Sequence, residues 1–293
     1  MLDTHGREVK TLRLAVTEAC DLRCVYCMPE KAEPSRGTTL TTDELTAIAQ
    51  AAVNNGITKI RLTGGEPLSR PDIITICERI SRMLGLRSLC LTTNGTRLAP
   101  LAGELVRAGV SRVNISLDTL KPERYRSLTR GGDLQNVLNG IDAALHAGFE
   151  KVKINCVLIG GVNDDEISDF VSLTRNNPLE VRFIELMPMG ECANWPKHRF
   201  ISADRVLSAC PELCKVADEG VAERYALPGA KGKVGLIRPM SHAFCGNCDR
   251  IRVTSDGMLK PCLHSGEEVD LRGLSGQALE QKVAQGIGDK PAT

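Results

Sequence analysis

Residues 17–27 read TEACDLRCVYC and place three cysteines, Cys20, Cys24 and Cys27, directly after an apolar run. Iron–sulfur clusters are normally held by four cysteines. The sequence has no fourth cysteine at short range, so a [4Fe–4S] cluster bound here would keep one iron open for chemistry. The alternative is a zinc knuckle or a set of unpaired core thiols, but zinc ligands usually come as Cys-x2-4-Cys with a second pair following. The spacing therefore favours a cluster.

The Cys-x3-Cys-x2-Cys spacing, with the aromatic Tyr26 just before the last cysteine, resembles the signature of the radical S-adenosylmethionine (SAM) superfamily. The resemblance implies that the open iron binds the amino and carboxylate groups of SAM. It also implies that an electron from the cluster cleaves the sulfonium and gives a 5′-deoxyadenosyl radical. The part of the protein would be to bind, aim and shield this cofactor.

The composition limits the function classes. With 293 residues, 42% hydrophobic and 25% charged, the chain can bury a sizeable core as one large α/β domain or a domain with an extension. A formal net charge of +1 and 3% aromatic residues give no sign of a nucleic-acid-binding surface. The sequence shows neither a signal peptide nor an apolar run that could span a membrane. We predict a cytoplasmic protein whose twelve cysteines serve metal binding or catalysis rather than disulfides.

Short β-branched apolar segments alternate with helical patterns through the first two thirds of the chain. The predicted strands cover residues 11–17, 57–63, 87–93, 110–117, 151–159 and 180–186. The predicted helices cover residues 42–54, 71–84, 98–108, 134–147 and 164–174. Six β–α units in sequence predict a parallel sheet with right-handed crossovers. Periodicity leaves an open sheet and a barrel as alternatives. The resemblance implies the barrel, a partial (β/α)6 TIM-type barrel of the radical SAM kind, with its chemistry at the C-terminal strand ends.

Polar residues follow several predicted strand ends. Residues 63–67 read TGGEP and, together with the cysteine triplet, resemble the Gly-Gly-Glu-Pro motif of radical SAM proteins. Two glycines let a backbone come close to a ligand. Thr92, Ser116 and Met187 lie at or near the ends of later strands. Each of them alone would be a helix cap or core packing, but in this order they resemble one branch of the superfamily.

Three cations, Arg13, Arg61 and Lys153, lie within predicted strands. A cation in a buried strand is costly unless an anion pairs with it. If these side chains point into a barrel, they form an anion pocket suited to phosphate. The alternative is an outward-facing charge or an internal salt bridge to one of three acids at strand ends, Glu66, Asp118 and Glu185. Position alone leaves both open.

A second cysteine triplet, Cys245-x2-Cys248-x13-Cys262, lies beyond the alternating region. The residues before it predict a short helix at 203–209 and strand-like pieces at 224–226 and 234–238. His264 follows Cys262 closely, so a tetrahedral Cys3His zinc site competes with a second cluster. Spacing alone leaves the two alternatives open.

The pattern Cys-Gly-x-Cys-x-Arg-x-Arg-x4-Gly-x4-Cys over residues 245–262 resembles the GTP 3′,8-cyclase family, which catalyses the first step of molybdenum cofactor biosynthesis. The resemblance covers almost the whole chain and implies a second [4Fe–4S] cluster whose open iron binds guanine. By the resemblance, the matching positions are Cys20, Cys24 and Cys27 for the SAM cluster; Tyr26, Gly65, Ser116 and Met187 for SAM; Arg13, Arg61, Thr92, Lys153, Arg250, Ile251 and Arg252 for GTP; and Cys245, Cys248 and Cys262 for the second cluster.

The resemblance also implies the reaction. The adenosyl radical removes the hydrogen at C3′ of GTP, C3′ adds to C8 of guanine, and one-electron reduction gives (8S)-3′,8-cyclo-7,8-dihydroguanosine 5′-triphosphate. No Walker loop is present, so cations and a metal would hold the nucleotide. The implied protein partners are a reductant such as flavodoxin or ferredoxin and the downstream cyclic pyranopterin monophosphate synthase, and the sequence leaves a homodimer open. The alternatives are a radical SAM enzyme acting on a peptide or another small molecule, and a non-enzymatic metal-binding module.

This interpretation divides the chain into two parts. We predict a radical SAM partial barrel over residues 1–190 and a C-terminal extension over residues 191–293 that carries the second cluster and substrate contacts. Chains of the family end in a Gly-Gly tail that reaches the active site, whereas this sequence ends at Thr293 without one. We expect both clusters to assemble nonetheless, and leave open whether the chain is truncated and whether turnover is complete.

Overall fold

The structure is a computed structural model that describes residues 1–31 and 39–292. The described strands are β1 (Thr11–Ala15), β2 (Lys59–Thr63), β3 (Ser88–Thr93), β4 (Val110–Ser116), β5 (Lys151–Leu158), β6 (Leu179–Glu185), β7 (Cys214–Glu219), β8 (Ala222–Ala226), β9 (Lys233–Ile237), β10 (Arg250–Val253), β11 (Met258–Lys260) and β12 (Val269–Asp270). They form one sheet in the order β12-β11-β10-β1-β2-β3-β4-β5-β6-β9-β8-β7.

Helices cover the connections between the parallel strands. The described α-helices are α1 (Thr42–Asn54), α2 (Ile73–Ser81), α3 (Leu98–Arg107), α4 (Pro122–Thr129), α5 (Leu134–Ala147), α6 (Ile167–Asn176), α7 (Asp204–Ala209) and α8 (Gly276–Gly288). Helix α1 begins with a capping box, in which Glu44 N donates to Thr41 Oγ1 at 3.2 Å and Thr41 N donates to Glu44 Oε2 at 2.8 Å. None of the helices in the described ranges is both long and apolar enough to cross a membrane.

The six predicted barrel strands pair in chain order, and every pair from β1 to β6 is parallel. Strand β10 adds to β1 and strand β9 adds to β6, both in parallel. Residues 238–249 connect β9 to β10 and therefore join the two edges of this parallel region. The predicted partial (β/α)6 barrel is confirmed, since an α/β fold with an open parallel sheet is what the chain forms.

Side chains alternate between the two faces of each barrel strand, because successive residues of a strand point in opposite directions. Leu12 and Leu14 of β1 and Ile60 of β2 are fully buried in the hydrophobic core that joins the sheet to the helices. Arg13 and Arg61 lie between these core residues and therefore point to the opposite face, the barrel interior. The alternation decides a question that the sequence left open.

The β7–β8 hairpin folds back over the N-terminal ends of the barrel strands. Glu219, at the end of β7, lies 2.6 Å from Lys151 Nζ and 3.0 Å from Lys153 Nζ. These two lysines are the first and third residues of β5. The same carboxylate lies 3.7 Å from Arg112 on β4. The hairpin thus covers the end of the barrel opposite to the cysteine loop.

Candidate functional site

The cysteine loop, residues 17–27, runs alongside the end of β2. Gly65 N donates to Thr17 O at 2.8 Å and so extends the pairing of β1 and β2. A Cβ on Gly64 would lie 2.4 Å from Thr17 O, and a Cβ on Gly65 would lie 2.3 Å from Ala19 O. The two glycines are therefore required by the cysteine loop itself, because any side chain would collide with its backbone.

The other side of the cysteine loop rests on the end of α4. Val25 N donates to Leu128 O at 2.9 Å. Arg130, which ends α4 with a left-handed backbone (φ 54°), donates from Nη1 to Met28 O at 2.9 Å. Hydrogen bonds on both sides therefore hold the loop in place.

Tyr26, between Cys24 and Cys27, reaches the end of β4. Its hydroxyl donates to Asp118 Oδ2 at 2.7 Å, and Asp118 Oδ1 accepts from Val157 N at 2.8 Å. Burial raises the pKa of Asp118 to about 6, although these hydrogen bonds oppose the rise. Burial also raises the pKa of the Tyr26 phenol. Asp118 thus fixes the aromatic ring that lies between two of the cysteines.

The three thiols of the cysteine loop are close enough to influence one another. Burial and, to a smaller extent, the charges of Asp118, Cys27 and Cys20 together raise the pKa of Cys24 to about 12. Burial likewise raises the pKa of Cys20 and Cys27. A bound metal centre would supply the positive charge that these thiolates lack, so the donor set fits an iron–sulfur cluster.

The thiols do not meet at one point. Within residues 1–31 and 39–292, no three His, Cys, Asp or Glu side chains are placed to hold one metal ion. A [4Fe–4S] cluster takes each thiolate on a different iron, so its ligands surround the cluster without converging.

Glu66, in the TGGEP segment, ties the end of β2 to the end of β3. Its carboxylate accepts from Thr93 Oγ1 at 2.7 Å, from Asn94 N at 2.6 Å and from Leu68 N at 2.9 Å. The residue is 1% exposed, and burial raises its pKa to about 7 against the effect of these hydrogen bonds. Glu66 therefore organises the strand ends and is no counter-ion for Arg61.

Three arginines, Arg13, Arg61 and Arg252, form what we call the arginine group. They lie in register on the adjacent strands β1, β2 and β10, respectively, with Arg13 between the other two. In the described part of the chain, no carboxylate forms an ion pair with any of them. Arg61 Nη1 donates to Thr92 Oγ1 at 3.3 Å. Burial lowers the pKa of Arg13, and neighbouring arginines lower it further. Clustered guanidinium groups without a counter-ion favour binding of an anion.

Cations at the covered end of the barrel are instead paired with carboxylates. Two carboxylates, Glu180 and Glu219, lie among five cations: Arg112, Lys151, Lys153, Arg182 and Arg224. Lys153 Nζ lies 3.0 Å from Glu219 and 3.5 Å from Glu180. Burial and, to a smaller extent, Arg182 lower the pKa of Lys153 to about 8, although Glu180 and Glu219 oppose the fall. Lys153 is therefore in contact with protein carboxylates, unlike the arginine group.

The second cysteine triplet adjoins the arginine group. Cys245 and Cys248 lie in the connection between β9 and β10, and Cys262 follows β11. Burial and Arg250 lower the pKa of Arg252, whereas the charges of Cys248 and Cys262 raise it. The thiols and the arginine group thus face the same space.

Arg7 fastens this second triplet to distant parts of the chain. Its Nη1 donates to Cys245 O at 2.9 Å, and its Nη2 donates to Pro291 O at 2.5 Å. Its Nε forms an ion pair with Asp3 Oδ2 at 2.6 Å. One side chain therefore connects the N-terminal segment, the Cys245 turn and residues 290–292.

The remaining predicted site residues separate into two sets. Gly65, Ser116 and Met187 lie at the C-terminal ends of β2, β4 and β6, on the same side as the cysteine loop. Ile251 is different, because its side chain is 0% exposed and belongs to the hydrophobic core. Strand alternation sends the side chains of its two neighbours to the interior, so Ile251 can offer a ligand only its main chain.

Two family models match the chain. The radical SAM superfamily matches residues 14–174, and Molybdenum Cofactor Synthesis C matches residues 179–293. The GTP 3′,8-cyclase of Alkaliphilus metalliredigens is 47% identical and aligns with 99% of this chain and 93% of its own length. The GTP 3′,8-cyclase of Peptoclostridium acidaminophilum is 49% identical, with 99% and 92% covered. The chain belongs to the GTP 3′,8-cyclase family.

Solved structures agree with the fold of this GTP 3′,8-cyclase family member. SuiB of Streptococcus suis has a TM-score of 0.64 and 15% identity, covering 98% of this chain and 68% of SuiB. The enzyme anSMEcpe with bound AdoMet has a TM-score of 0.60 and 16% identity, covering 94% of this chain and 82% of that one. At such identities the likeness concerns the fold alone.

Membership of the GTP 3′,8-cyclase family confirms the predicted cofactors, SAM and two [4Fe–4S] clusters. It also decides against the zinc alternative at the second triplet, where His264 is exposed to solvent. All twelve cysteines are free thiols in the structure.

Two residues of the site had no recognisable signal in the sequence. Arg7 lies in a polar N-terminal stretch without a motif, and Glu219 lies beside a turn glycine between two weak strand patterns. Both act through contacts over long sequence separations, 238 residues from Arg7 to Cys245 and 66 residues from Glu219 to Lys153. Periodicity and motif spacing carry no information about such contacts.

Proposed function

We propose that this protein is a GTP 3′,8-cyclase, a radical SAM lyase that converts GTP to (8S)-3′,8-cyclo-7,8-dihydroguanosine 5′-triphosphate in molybdenum cofactor biosynthesis. The observation that supports it most is the arginine group, a set of inward-facing cations that have no carboxylate partner in the described part of the chain and lie beside the second cysteine triplet. A triphosphate is the kind of ligand that such a group binds by charge-assisted hydrogen bonds.

The proposed roles divide between the two cysteine triplets, SAM at the first and the nucleotide at the second. Cys20, Cys24 and Cys27 hold the cluster that binds SAM, and SAM also contacts Tyr26, Gly65, Ser116 and Met187. The triphosphate contacts the arginine group, Thr92, Lys153 and Arg250, with the main chain of Ile251 nearby. Cys245, Cys248 and Cys262 hold the second cluster, which receives the guanine. Each role rests on the matching motif position and on the location of the residue described above.

When bound, SAM and its cluster supply a 5′-deoxyadenosyl radical that takes the hydrogen from C3′ of the nucleotide, after which ring closure to C8 takes up one electron and one proton. The chain contributes position. The Tyr26 hydrogen bond to Asp118 at 2.7 Å holds the cysteine loop against the rim of the barrel. The β7–β8 hairpin covers the other end through the ion pairs of Glu219 with Lys151 and Lys153. A covered interior that holds the reacting atoms in position suits radical chemistry.

We further propose the setting in which the protein works. Twelve free thiols suit the reducing cytoplasm. A small reductant protein such as flavodoxin or ferredoxin would supply the electron, and cyclic pyranopterin monophosphate synthase would take the product. The homodimer and the boundary between residues 1–190 and 191–293 stay predictions.

The test is an anaerobic assay. The protein is reconstituted with iron and sulfide and then incubated with SAM, dithionite and GTP, and mass spectrometry follows 5′-deoxyadenosine and the cyclised nucleotide. The proposal expects both products, formed in equal amounts. Formation of 5′-deoxyadenosine without any cyclised nucleotide would contradict GTP as substrate and leave a radical SAM enzyme that acts on a peptide or another small molecule.

A further inference from the structure

The cations of the barrel interior differ in whether a carboxylate of the protein pairs with them. The arginine group has no carboxylate partner in the described part of the chain, whereas Lys153 has two, Glu180 and Glu219. The two regions meet, because Arg61 donates to Thr92 at 3.3 Å and Thr92 lies in register with Lys153 through the intervening strand β4. An anion long enough to extend from the arginine group along this row would reach Lys153.

The two carboxylates that hold Lys153 are fixed in different ways. Glu180 is in β6, between two parallel neighbours, and is 6% exposed as a residue. Glu219 is at the turn of the β7–β8 hairpin on the edge of the sheet, and its side chain is 25% exposed. Its oxygens lie 2.6 Å from Lys151 Nζ, 2.8 Å from Arg224 Nη1 and 3.0 Å from Lys153 Nζ. Glu219 can therefore move away without breaking the barrel, and Glu180 cannot.

We propose that Glu219 is a resident counter-ion of Lys153 that the distal phosphates of the substrate displace, so that this carboxylate sets the affinity for the triphosphate. The choice of GTP as ligand rests on the proposed function. Among the described residues, the Glu219 carboxylate pairs with cations alone, so we assign it a role in specificity and none in the chemistry.

The charges around Lys153 indicate that neutralising Glu219 should strengthen binding of the triphosphate. With Glu219 in place, five cations face three carboxylates, Glu180, Glu219 and Glu150, the last of which lies 3.6 Å from Arg112. A phosphate that approaches Lys153 meets the like charge of Glu219 and must compete with it for the same ammonium group. Neutralising Glu219 removes both costs and still leaves the cation group partly balanced by Glu180. A nucleotide with one phosphate does not extend this far and should not sense the change. A residue that only supported the hairpin would weaken binding of every nucleotide when altered.

The experiment measures binding to the cluster-reconstituted full chain by calorimetry, with GTP, GMP and inorganic tripolyphosphate as probes. The test variant is Glu219→Gln. The matched control is Glu223→Gln, which neutralises a carboxylate of the same hairpin that pairs with Lys215 at 3.7 Å and Arg238 at 3.7 Å, away from Lys153. We expect E219Q to bind GTP and tripolyphosphate about tenfold more tightly and GMP within about twofold of the unaltered chain, and E223Q to bind all three within about twofold.

Unchanged or weaker binding of tripolyphosphate and GTP by E219Q would overturn the inference, as would an equal gain for GMP. If the unaltered chain does not bind GTP, the proposed function fails, while tighter tripolyphosphate binding by E219Q would still support the counter-ion role. If E219Q cannot be loaded with iron, Glu219→Asp replaces it. That variant keeps the charge but shortens the reach, so a smaller gain supports the inference and no gain refutes it.

Discussion

The two cysteine triplets lie in surroundings of opposite charge. Around the first triplet acids predominate: Asp118 adds to the effect of burial in raising the pKa of Cys24, and Asp21 and Glu66 raise the pKa of Cys20, where Arg23 opposes them. Around the second triplet the neighbours include Arg13 of β1, which senses the charge of Cys248, and Arg252 of β10, which senses those of Cys248 and Cys262. One fold thus builds an acidic and a basic metal environment at two ends of its chain.

The difference matches the ligands proposed for each triplet. SAM carries positive charge on its sulfonium and amino groups, and GTP carries several negative charges on its phosphates. With these proposed roles, we expect complementary charge to steer each molecule to its own cluster and to disfavour exchange of the two. Three identical thiol donors can therefore serve different ligands, because the charged side chains around them differ.

The largest expected effect comes from removing a ligand of the first triplet. Cys24→Ala should reduce 5′-deoxyadenosine formation at least about a thousandfold, because without its three thiolates the cluster that cleaves SAM is not held. Iron should fall from about eight to about four per chain, since the second triplet is intact. Mass spectrometry of the anaerobic reaction and an iron assay measure both quantities.

A matched cysteine separates this loss from a general effect on thiols. Cys214→Ala removes an exposed cysteine at the start of β7 and should leave iron content and 5′-deoxyadenosine formation unchanged. If Cys24→Ala still formed 5′-deoxyadenosine, the first triplet would not hold the cluster that cleaves SAM. The contrast between the ligands of the two triplets would then no longer apply.

An intermediate effect is expected at the basic side. Arg252→Ala should weaken GTP binding about 10- to 100-fold and leave iron at the unaltered level, because hydrogen bonds to charged groups contribute about 1.5–3 kcal/mol. Calorimetry on the reconstituted protein measures the affinity. Arg272→Ala is the control, since that arginine is exposed and pairs with Asp270 on the surface. Unaltered GTP affinity, or iron lost together with affinity, would refute a role for Arg252 in binding the phosphates.

The sequence predicted those parts of the fold that depend on local pattern. Strands β1 to β6 and the helices between them stand out because β-branched runs alternate with amphipathic stretches, and the bounds of α1 and α5 agree to the residue. Helix α4 was missed, because PERYRSLT is polar apart from two buried residues, Tyr125 and Leu128. Strand β10 reads RIRV and becomes a strand by pairing with β1, far away in sequence.

In the candidate site, too, some features follow from local sequence pattern and others depend on long-range pairing. The cysteines and the TGGEP segment are recognisable by spacing, and strand alternation explains why Arg13 and Arg61 face inward. The ion pair of Lys153 with Glu219 could not be predicted from the sequence, because it depends on the hairpin that brings Glu219 back to β5. Local patterns therefore predict which residues are in the barrel, while long-range pairing decides which of its cations are neutralised.

The smallest expected effect tests the acidic side through pH. Burial raises the pKa of Asp118 from 3.8 to about 6, so the folded chain binds this proton more tightly than the unfolded chain. Stability from this group is therefore fully present below about pH 4 and is lost as pH rises toward about 6 and beyond. Between pH 5 and pH 7 the loss should be about 1 kcal/mol, and Asp118→Asn should abolish it.

Urea unfolding of the cluster-free chain at the two pH values measures this loss. Glu66, whose pKa burial raises to about 7, gives a slope of the same sign in both proteins, so the difference between the unaltered chain and D118N isolates Asp118. Equal pH dependence in the two proteins would mean that Asp118 stays ionised beside Tyr26. The first triplet would then face a full negative charge at every pH tested, and its contrast with the arginine-lined second triplet would be larger than the raised pKa of Asp118 indicates.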